Sequence, residues 1–232
     1  MAESSARTQI AMKILTVDVG GKNVKILLSG ETVPRKFPSG RTLTPRAMVK
    51  GVKQLASGGK GLAAWKYDVV SLGYPGPVAH NQPSVEPVNL APGWVAFDFE
   101  KGFGCPVRLV NDAAMQALGT YKGGKMLFLG LGTGLGSTLI VEGLLVPMEL
   151  GHLPYKKATF EDYVGDRTLK RVGRRKWERY VTDVAALLIA ALLPEDVVFG
   201  GGNSRLLTEL PPGCRLGANA NAFEGGFMLW SS

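Results

Sequence analysis

Two stretches of similar character decide the fold: residues 13–28, KILTVDVGGKNVKILL, and residues 126–141, MLFLGLGTGLGSTLIV. Each has an apolar run, a glycine-rich turn and a second apolar run, which is the pattern of two strands joined by a tight turn. Aligning Ile14 with Met126 places Gly20 on Gly132, so the second stretch repeats the first. The sequence therefore indicates a duplicated strand-turn-strand unit and favours two similar lobes.

The segments outside this repeat alternate between strand and helix patterns. Strands are predicted near residues 68–72, 107–110 and 196–199, and helices at about 45–55, from Asn111-Asp112 to Gly119, from the basic segment to Leu193, and from Asn203. Such alternation is typical of the α/β class. We expect a disordered N-terminus over residues 1–12, an N-terminal lobe over 13–112, and a C-terminal lobe over 113–232 whose last helix packs back on the N-terminal lobe.

Positive charge is in excess and is concentrated in one segment. The chain has 27 Lys and Arg against 19 Asp and Glu, a net charge of +8, which favours polyanionic partners such as nucleotides, phosphate chains or nucleic acid. Residues 167–179, RTLKRVGRRKWER, hold seven basic side chains against one acidic one. If this segment is helical, one cationic face is formed by Arg167, Lys170, Arg171, Arg174 and Arg175. An ordinary solvated charged face is the alternative.

Cysteine usage and hydropathy bear on the cellular setting. Cys105 and Cys214 stand alone without CxxC spacing, so neither a disulfide framework nor a zinc site is indicated. The first twelve residues, MAESSARTQIAM, lack the apolar core of a signal peptide. The longest apolar run, residues 184–193, is shorter than the ~20 residues that span a bilayer. We therefore expect a cytoplasmic protein without a membrane partner.

Three glycine-rich turns are candidates for phosphate binding. Residues 18–23, DVGGKN, fit neither the Walker pattern nor the dinucleotide fingerprint, but their backbone N–H groups can approach an anion, and Asp18 can hold Mg²⁺ directly or through water. Residues 132–136, GTGLG, offer the same donors and a hydroxyl. Residues 200–203, GGGN, follow a predicted strand and begin a predicted helix, where N–H groups bind anions. Plain turns are the alternative at all three places.

Two further motifs carry side chains suited to chemistry. Asp112 is either a general base for a substrate hydroxyl or simply the N-cap of its helix. Residues 149–152, ELGH, can present a carboxylate and an imidazole to a polyol, whereas one Glu-x-x-His unit cannot fill a metal site. A purely structural role for His152 stays open.

Taken in order, these motifs resemble the ROK sugar kinases, members of the actin-like ATPase superfold, and the similarity runs over residues 13–230. Residues 18–21 look like the first phosphate motif, 131–134 like the second, and 149–152 like the sugar-binding signature. The other similarities are the loop closing on the sugar at 73–78, the sugar-contact loop at 89–94, the catalytic turn at 111–114 and the adenosine motif at 199–203. Residues 149–155, ELGHLPY, with 161–163, EDY, look most like the polyphosphate glucokinases.

The resemblance implies a two-lobed actin-like (ribonuclease H-like) α/β fold in which a phosphoryl group passes from polyphosphate or ATP to the 6-hydroxyl of glucose, with Mg²⁺ as cofactor. It implies that Asp112 takes the proton. The sugar contacts it implies are Asn89, Asn111, Asp112, Glu149, His152 and Glu161. The phosphate contacts it implies are Asp18, which is also the magnesium ligand, Gly20, Gly21, Lys22, Lys25, Gly132, Thr133, Gly134, Gly201, Gly202 and Asn203.

The chain departs from the family pattern in two places. Most relatives bind a structural zinc ion through cysteines just before the position of Glu161, but this chain has KKAT at residues 156–159, so no zinc site is expected. Lys22 stands where the first phosphate motif ordinarily has threonine. We expect Lys22 to act on the donor or the metal and not on the sugar, because its loop is taken to lie far from the sugar contacts.

The sequence leaves some alternative functions open and argues against another. ROK relatives include sugar-responsive repressors, but a repressor needs a helix-turn-helix before the first phosphate motif, where only about a dozen residues stand, so no nucleic acid partner is expected. An ATP-dependent hexokinase of broader sugar range, or a sugar-binding ROK protein with weakened catalysis, stays open. A homodimer is a further expectation, which the sequence does not decide.

Overall fold

The computed structural model describes residues 12–59, 61–218 and 221–231. The disorder expected over residues 1–12 lies outside the described residues except at Met12. The strands are β1 (Ile14–Val19), β2 (Asn23–Leu28), β3 (Arg35–Pro38), β4 (Val69–Tyr74), β5 (Val78–Ala79), β6 (Gln82–Pro83), β7 (Val107–Asn111), β8 (Lys125–Leu131), β9 (Leu135–Val141), β10 (Leu144–Met148), β11 (Pro154–Tyr155), β12 (Ala158–Thr159), β13 (Asp196–Gly200) and β14 (Cys214–Leu216). The helices are α1 (Pro45–Ala56), α2 (Phe99–Phe103), α3 (Asp112–Leu118), α4 (Phe160–Val164), α5 (Asp166–Val172), α6 (Arg174–Leu192) and α7 (Asn221–Met228).

The first sheet has the order β3-β2-β1-β4-β7. Strands β1 and β2 form the antiparallel glycine hairpin, with Asp18 directly opposite Lys25, while β1, β4 and β7 run parallel. Every residue of β1 is buried, which explains its continuous apolar run. Because parallel strands end at the same edge of a sheet, the turn after β1, the loop after β4 and the start of α3 meet at one edge.

The second sheet repeats this arrangement with the order β10-β9-β8-β13-β14. Strands β8 and β9 form the second antiparallel glycine hairpin, and β13 lies parallel to β8 with Phe199 opposite Leu129. This register places the turn after β13 beside the turn after β8. The prediction of an α/β fold with a duplicated strand-turn-strand unit is confirmed.

Two helix predictions are wrong. No long helix begins at Asn203: the segment makes a 3₁₀ turn at Ser204–Leu206 and continues to the edge strand β14. The helix through the basic segment is two helices, because Gly173 adopts φ +78° and ψ 162°, which breaks the chain between α5 and α6. A φ of this sign favours glycine. The edge strands β3, β10 and β14 carry mostly half-buried or exposed residues, so they left no clear apolar signal in the sequence.

The last helix, α7, packs against α3, β1 and β4. The contact is close because glycines face it: a Cβ on Gly225 would collide with the Met115 carbonyl of α3. Two buried hydroxyls of the first sheet donate hydrogen bonds to α7 carbonyls, from Thr16 to Phe223 at 3.5 Å and from Ser71 to Gly226 at 2.5 Å. None of the helices in the described part of the chain is long and apolar enough to cross a membrane.

Candidate active site

A cleft of about 800 Å³ is lined by loops of both sheets. Twelve of the residues singled out from the sequence line it: Gly21, Asn89, Asn111, Asp112, Gly132, Thr133, Gly134, Glu149, His152, Glu161, Gly201 and Gly202. Five do not line it: Asp18, Gly20, Lys22, Lys25 and Asn203. The fold therefore brings the glycine turns and the polar side chains expected at a sugar into one space.

Asp112 stands at the junction of β7 and α3, on the cleft wall. The N-cap of α3 is Asn111, whose Oδ1 accepts hydrogen bonds from the N–H groups of Ala113 at 2.9 Å and Ala114 at 3.2 Å. The amide of Asn111 also donates to the Gly76 carbonyl at 3.1 Å. The alternative that Asp112 is the N-cap is therefore wrong, and its carboxylate keeps capacity for another partner beyond its contact with Ala113 N–H at 2.8 Å.

The surroundings of Asp112 favour its protonated form. Burial raises its pKa from 3.8 to about 7, and the negative charges of Asp18 and Glu149 add to this, while the hydrogen bond from Ala113 N–H opposes it. An isolated carboxyl has a pKa far below neutrality, where it is a weak base. A carboxyl with a pKa near 7 is suited to accept a proton from a substrate hydroxyl.

Hydrogen bonds from neighbouring segments fix the backbone of the turn after β8. Gly132 N–H donates to the Gly134 carbonyl at 3.2 Å, and the Gly132 carbonyl accepts from Asp166 N–H at 2.9 Å and from the Asn203 side chain at 3.2 Å. Gly201 has φ +78° and packs against the Leu131 carbonyl, where a Cβ would collide. The second and third glycine turns therefore form one connected surface, and a Cβ on Gly132 would meet open space. Such a backbone surface suits an anion.

The turn after β1 is arranged differently from the expectation. Lys25 pairs with Asp18 at 3.2 Å, and the Lys22 side chain is exposed. A Cβ on Gly21 would lie 3.7 Å from Asn89 Cβ. The tip of this loop therefore lies near Asn89, so the expectation that the loop is far from the residues expected to bind sugar is wrong.

Three polar side chains gather on the opposite wall. Glu149 precedes a 3₁₀ turn at Leu150–His152, and the side chain of His152 is 3.7 Å from Glu161, measured from Nε2 to Oε1. Burial raises the pKa of Glu149, the charge of Glu161 adds to this, and His152 opposes it. The Ser137 hydroxyl holds the chain on both sides of Glu149, donating to the Met148 carbonyl at 2.8 Å and accepting from Leu150 N–H at 3.0 Å. Carboxylates and an imidazole so placed can bind several sugar hydroxyls.

Two further residues that line the cleft, Glu86 and Gln116, were not predicted from the sequence. Gln116 follows Asp112 by four residues and so shares its face of α3, a spacing that could have identified it. Glu86 accepts hydrogen bonds from three successive backbone N–H groups at residues 93–95, at 2.9, 3.0 and 3.4 Å. Glu86 therefore ties together the loop that carries Asn89 by contacts within that loop.

The basic segment does not form a single helical face, because it is divided between two helices. Arg167, Lys170 and Arg171 lie on α5, whereas Arg174 and Arg175 follow the break at Gly173 on α6. Lys170 pairs with Asp166, and Arg171 donates to the Thr168 hydroxyl at 3.1 Å. Arg167, in the first turn of α5, is the member of this set that lines the cleft among the described residues.

Metal binding was expected at Asp18 alone. Across residues 12–59, 61–218 and 221–231, His, Cys, Asp and Glu form no group of three or more suited to a metal ion. Asp18 is a carboxylate whose charge raises the pKa of Asp112. A hard dication bound through water and donor phosphates would relieve the repulsion between these two carboxylates, so the residues present fit Mg²⁺ held mainly by the donor.

The sequence and the fold are similar to those of known proteins. The ROK family profile matches residues 14–167. A polyphosphate glucokinase of Mycobacterium tuberculosis (strain CDC 1551 / Oshkosh) is 27% identical over 217 residues, covering 84% of this chain and 80% of the relative. Among solved structures, an inorganic polyphosphate/ATP-glucomannokinase from Arthrobacter sp. strain KM has a TM-score of 0.80 at 22% identity, covering 94% of this chain and 98% of the other.

A ROK family glucokinase from Streptomyces griseus, solved with glucose and AMPPNP, has a TM-score of 0.75 at 18% identity, covering 94% of this chain and 98% of the other. Structural likeness at such identities establishes the fold. The family match spans the first glycine turn, the Asp112 junction, the second glycine turn and the Glu149–Glu161 wall. The chain belongs to the ROK family.

Proposed function

We propose that this chain is a glucokinase that transfers a phosphoryl group from inorganic polyphosphate, and less efficiently from ATP, to the 6-hydroxyl of glucose. The observation that carries the proposal is Asp112. Its carboxylate lines a cleft that also holds two glycine turns and three polar side chains, and its pKa is raised to about 7. The relatives whose names mention polyphosphate support the choice of donor.

In this proposal the sugar lies between Asn89 and the wall formed by Glu149, His152 and Glu161. Carboxylates accept hydrogen bonds from sugar hydroxyls, so two acids can fix the orientation of the ring. Asp112 then accepts the proton of the attacking hydroxyl as the new bond to phosphorus forms. The Asn111 side chain caps α3 and donates a hydrogen bond to the Gly76 carbonyl. Asn111 therefore fixes the start of the helix that carries Asp112.

The donor lies along the glycine turns. The backbone N–H groups of Gly134, Gly201 and Gly202 can approach phosphate oxygens closely because these residues have no side chain. Arg167 reaches the same space and supplies a positive charge. Bound Mg²⁺ would neutralise the charge of the transferring group, with Asp18 as its protein partner. Lys25 assists indirectly, because its ion pair at 3.2 Å holds the Asp18 carboxylate in place.

A polyphosphate chain gains more from this surface than ATP does. The same segment carries three exposed arginines that do not line the cleft, Arg171, Arg174 and Arg175. A long polyanion releases counterions at each cationic contact, so its affinity falls steeply with salt. ATP is too short to reach most of these charges. A cytoplasmic setting belongs to the same proposal, supported by the free thiols of Cys105 and Cys214.

A coupled dehydrogenase assay for glucose 6-phosphate tests the proposal directly. The purified chain is supplied with glucose and either long-chain polyphosphate or ATP, with and without Mg²⁺, across a series of salt concentrations. We expect turnover with both donors and a higher kcat/KM for polyphosphate. Absence of glucose 6-phosphate with either donor would overturn the proposed activity, and a clear preference for ATP at low salt would overturn the donor assignment alone.

A further inference from the structure

Two of the cleft residues stand at the two ends of one small hairpin. Strands β11 and β12 pair Pro154 with Thr159, and Phe160 N–H donates to the Leu153 carbonyl at 3.0 Å. His152 immediately precedes this hairpin and Glu161 follows it. The hairpin therefore joins the two residues, whose side chains are 3.7 Å apart, measured from His152 Nε2 to Glu161 Oε1.

The tip of the hairpin has an uncommon backbone. Lys156 has φ +54°, in the left-handed region that glycine or asparagine usually occupies. Its ammonium nitrogen lies 4.7 Å from the ring centroid of Tyr155, 4.6 Å from that of Tyr180 and 5.8 Å from that of Tyr163. The same nitrogen is 3.8 Å from Asp183 Oδ2. The lysine side chain thus has partners that a glycine would lack.

The three rings form an ordered group, which we call the tyrosine cage (Tyr155, Tyr163 and Tyr180). Tyr163 packs edge-on against both other rings, at 5.0 Å and 88° from Tyr155 and at 5.0 Å and 83° from Tyr180. The Tyr155 hydroxyl donates to Asp183 at 3.1 Å. Because Tyr180 and Asp183 belong to α6, the cage joins the hairpin to a long helix outside the cleft.

The contacts of Lys156 with the tyrosine cage and with Asp183 depend on its positive charge. Aromatic ring faces carry partial negative charge and attract a cation, and a carboxylate beside them adds to the attraction. An uncharged side chain of the same length would lose both contacts. The neighbouring Lys157 is exposed, and no ring or carboxylate among the described residues pairs with it, so it offers a matched comparison one position away.

We propose that Lys156 is a positioning residue: its ammonium, seated in the tyrosine cage, fastens the β11–β12 hairpin to α6 and so holds His152 and Glu161 at the separation that the acceptor sugar requires. The identity of that acceptor rests on the proposed function, whereas the fastening of the hairpin does not.

The test compares Lys156→Met, Lys156→Arg and Lys157→Met in the full chain. Lys156→Met should raise the KM for glucose by about five-fold, the size expected from cation–π contacts at a partly exposed site, and leave kcat and the KM of the donor within about two-fold. Lys156→Arg keeps the cation and should restore the parent KM. Lys157→Met should behave like the parent. If Lys156→Met does not fold, Lys156→Gln serves in its place.

A second readout does not depend on activity. The chain has two histidines, His80 and His152, so the imidazole ring signals in an NMR spectrum can report on the hairpin, with His80 as internal reference. Lys156→Met should move the His152 signals and leave those of His80 in place, while Lys157→Met should move neither. If the parent phosphorylates no glucose, the proposed function fails, and the His152 signals still decide whether the cage fastens the hairpin.

Two results would overturn the inference. One is a Lys156→Met variant that matches Lys157→Met in both the His152 signals and the KM for glucose, which would make Lys156 an ordinary solvated side chain. The other is a shifted His152 signal with an unchanged KM for glucose in an active enzyme, which would mean that the cage holds the hairpin without positioning the sugar contacts.

Discussion

Replacing Asp112 by asparagine should inactivate the protein and stabilise it at the same time. Asparagine has nearly the same shape, and its Oδ1 can still accept the hydrogen bond from Ala113 N–H, which is 2.8 Å long in the parent. The substitution removes only the ability to ionise. If Asp112 is the general base, kcat should fall by ~10²-fold or more while glucose still binds.

The gain in stability follows from the raised pKa. The folded carboxyl binds its proton more tightly than the unfolded one, so between pH 3.8 and about 7 the folded state of the parent holds more protons than the unfolded state. Folding stability contributed by this group therefore falls as the pH rises through that window and is constant above it. A pKa difference of about 3 corresponds to about 4 kcal/mol. Because Asp112 is partly exposed to solvent, we expect about half of this, about 2 kcal/mol.

Urea unfolding of parent and variant at several pH values across the window measures this difference. The free energy of unfolding of Asp112→Asn should exceed that of the parent by an amount that grows with pH and levels off near neutrality. In the parent, kcat/KM for glucose should fall ~10-fold per pH unit below about 7 as the base is protonated.

Asp98→Asn is the matched control. Asp98 caps α2 outside the cleft, accepting from Lys101 N–H at 2.9 Å, and asparagine caps a helix about as well. This variant should leave turnover unchanged. Near-normal turnover in Asp112→Asn, or a stability difference from the parent that does not vary with pH, would refute the assignment of Asp112 as a buried general base.

Three further substitutions test other parts of the site. A methyl at Gly134 would push against the flexible end of Glu161, so Gly134→Ala should fold and should raise the KM for glucose by about ten-fold in initial-rate measurements; an unchanged KM would remove Glu161 from the sugar contacts. Arg167→Ala should raise the KM for long-chain polyphosphate more than the KM for ATP, and should lower the slope of log KM for polyphosphate against log salt concentration by about one. Equal effects on both donors would argue against a polyphosphate contact beyond the cleft. Gly225→Ala would drive a methyl into the Met115 carbonyl, and we expect a loss of about 1–3 kcal/mol in urea unfolding, with a loss near zero showing that α7 can shift freely.

Local patterns were enough to predict the elements that are regular and strongly apolar. The strands β1, β4, β8 and β13 are runs of buried residues, and α3 begins and ends within a residue of its predicted limits. The edge strands and the short 3₁₀ turns escaped prediction because their residues are half exposed and follow no clean period. The break at Gly173 was also not predicted, because an isolated glycine in a helix-favouring segment is compatible with a continuous helix.

The sequence alone also determined which residue types the site would contain, because glycine turns after buried strands and an Asn-Asp pair at a helix start are signals carried by neighbouring residues. Only the tertiary structure decided how they are used. Asn111, and not Asp112, caps α3, and Lys25 neutralises Asp18 across a strand pair. The proximity of Gly21 to Asn89, and the tyrosine cage around Lys156, bring together segments that are separate along the chain. Burial, charge coupling and ring packing depend on which segments meet in space, and the pattern of one segment holds no information about its partner.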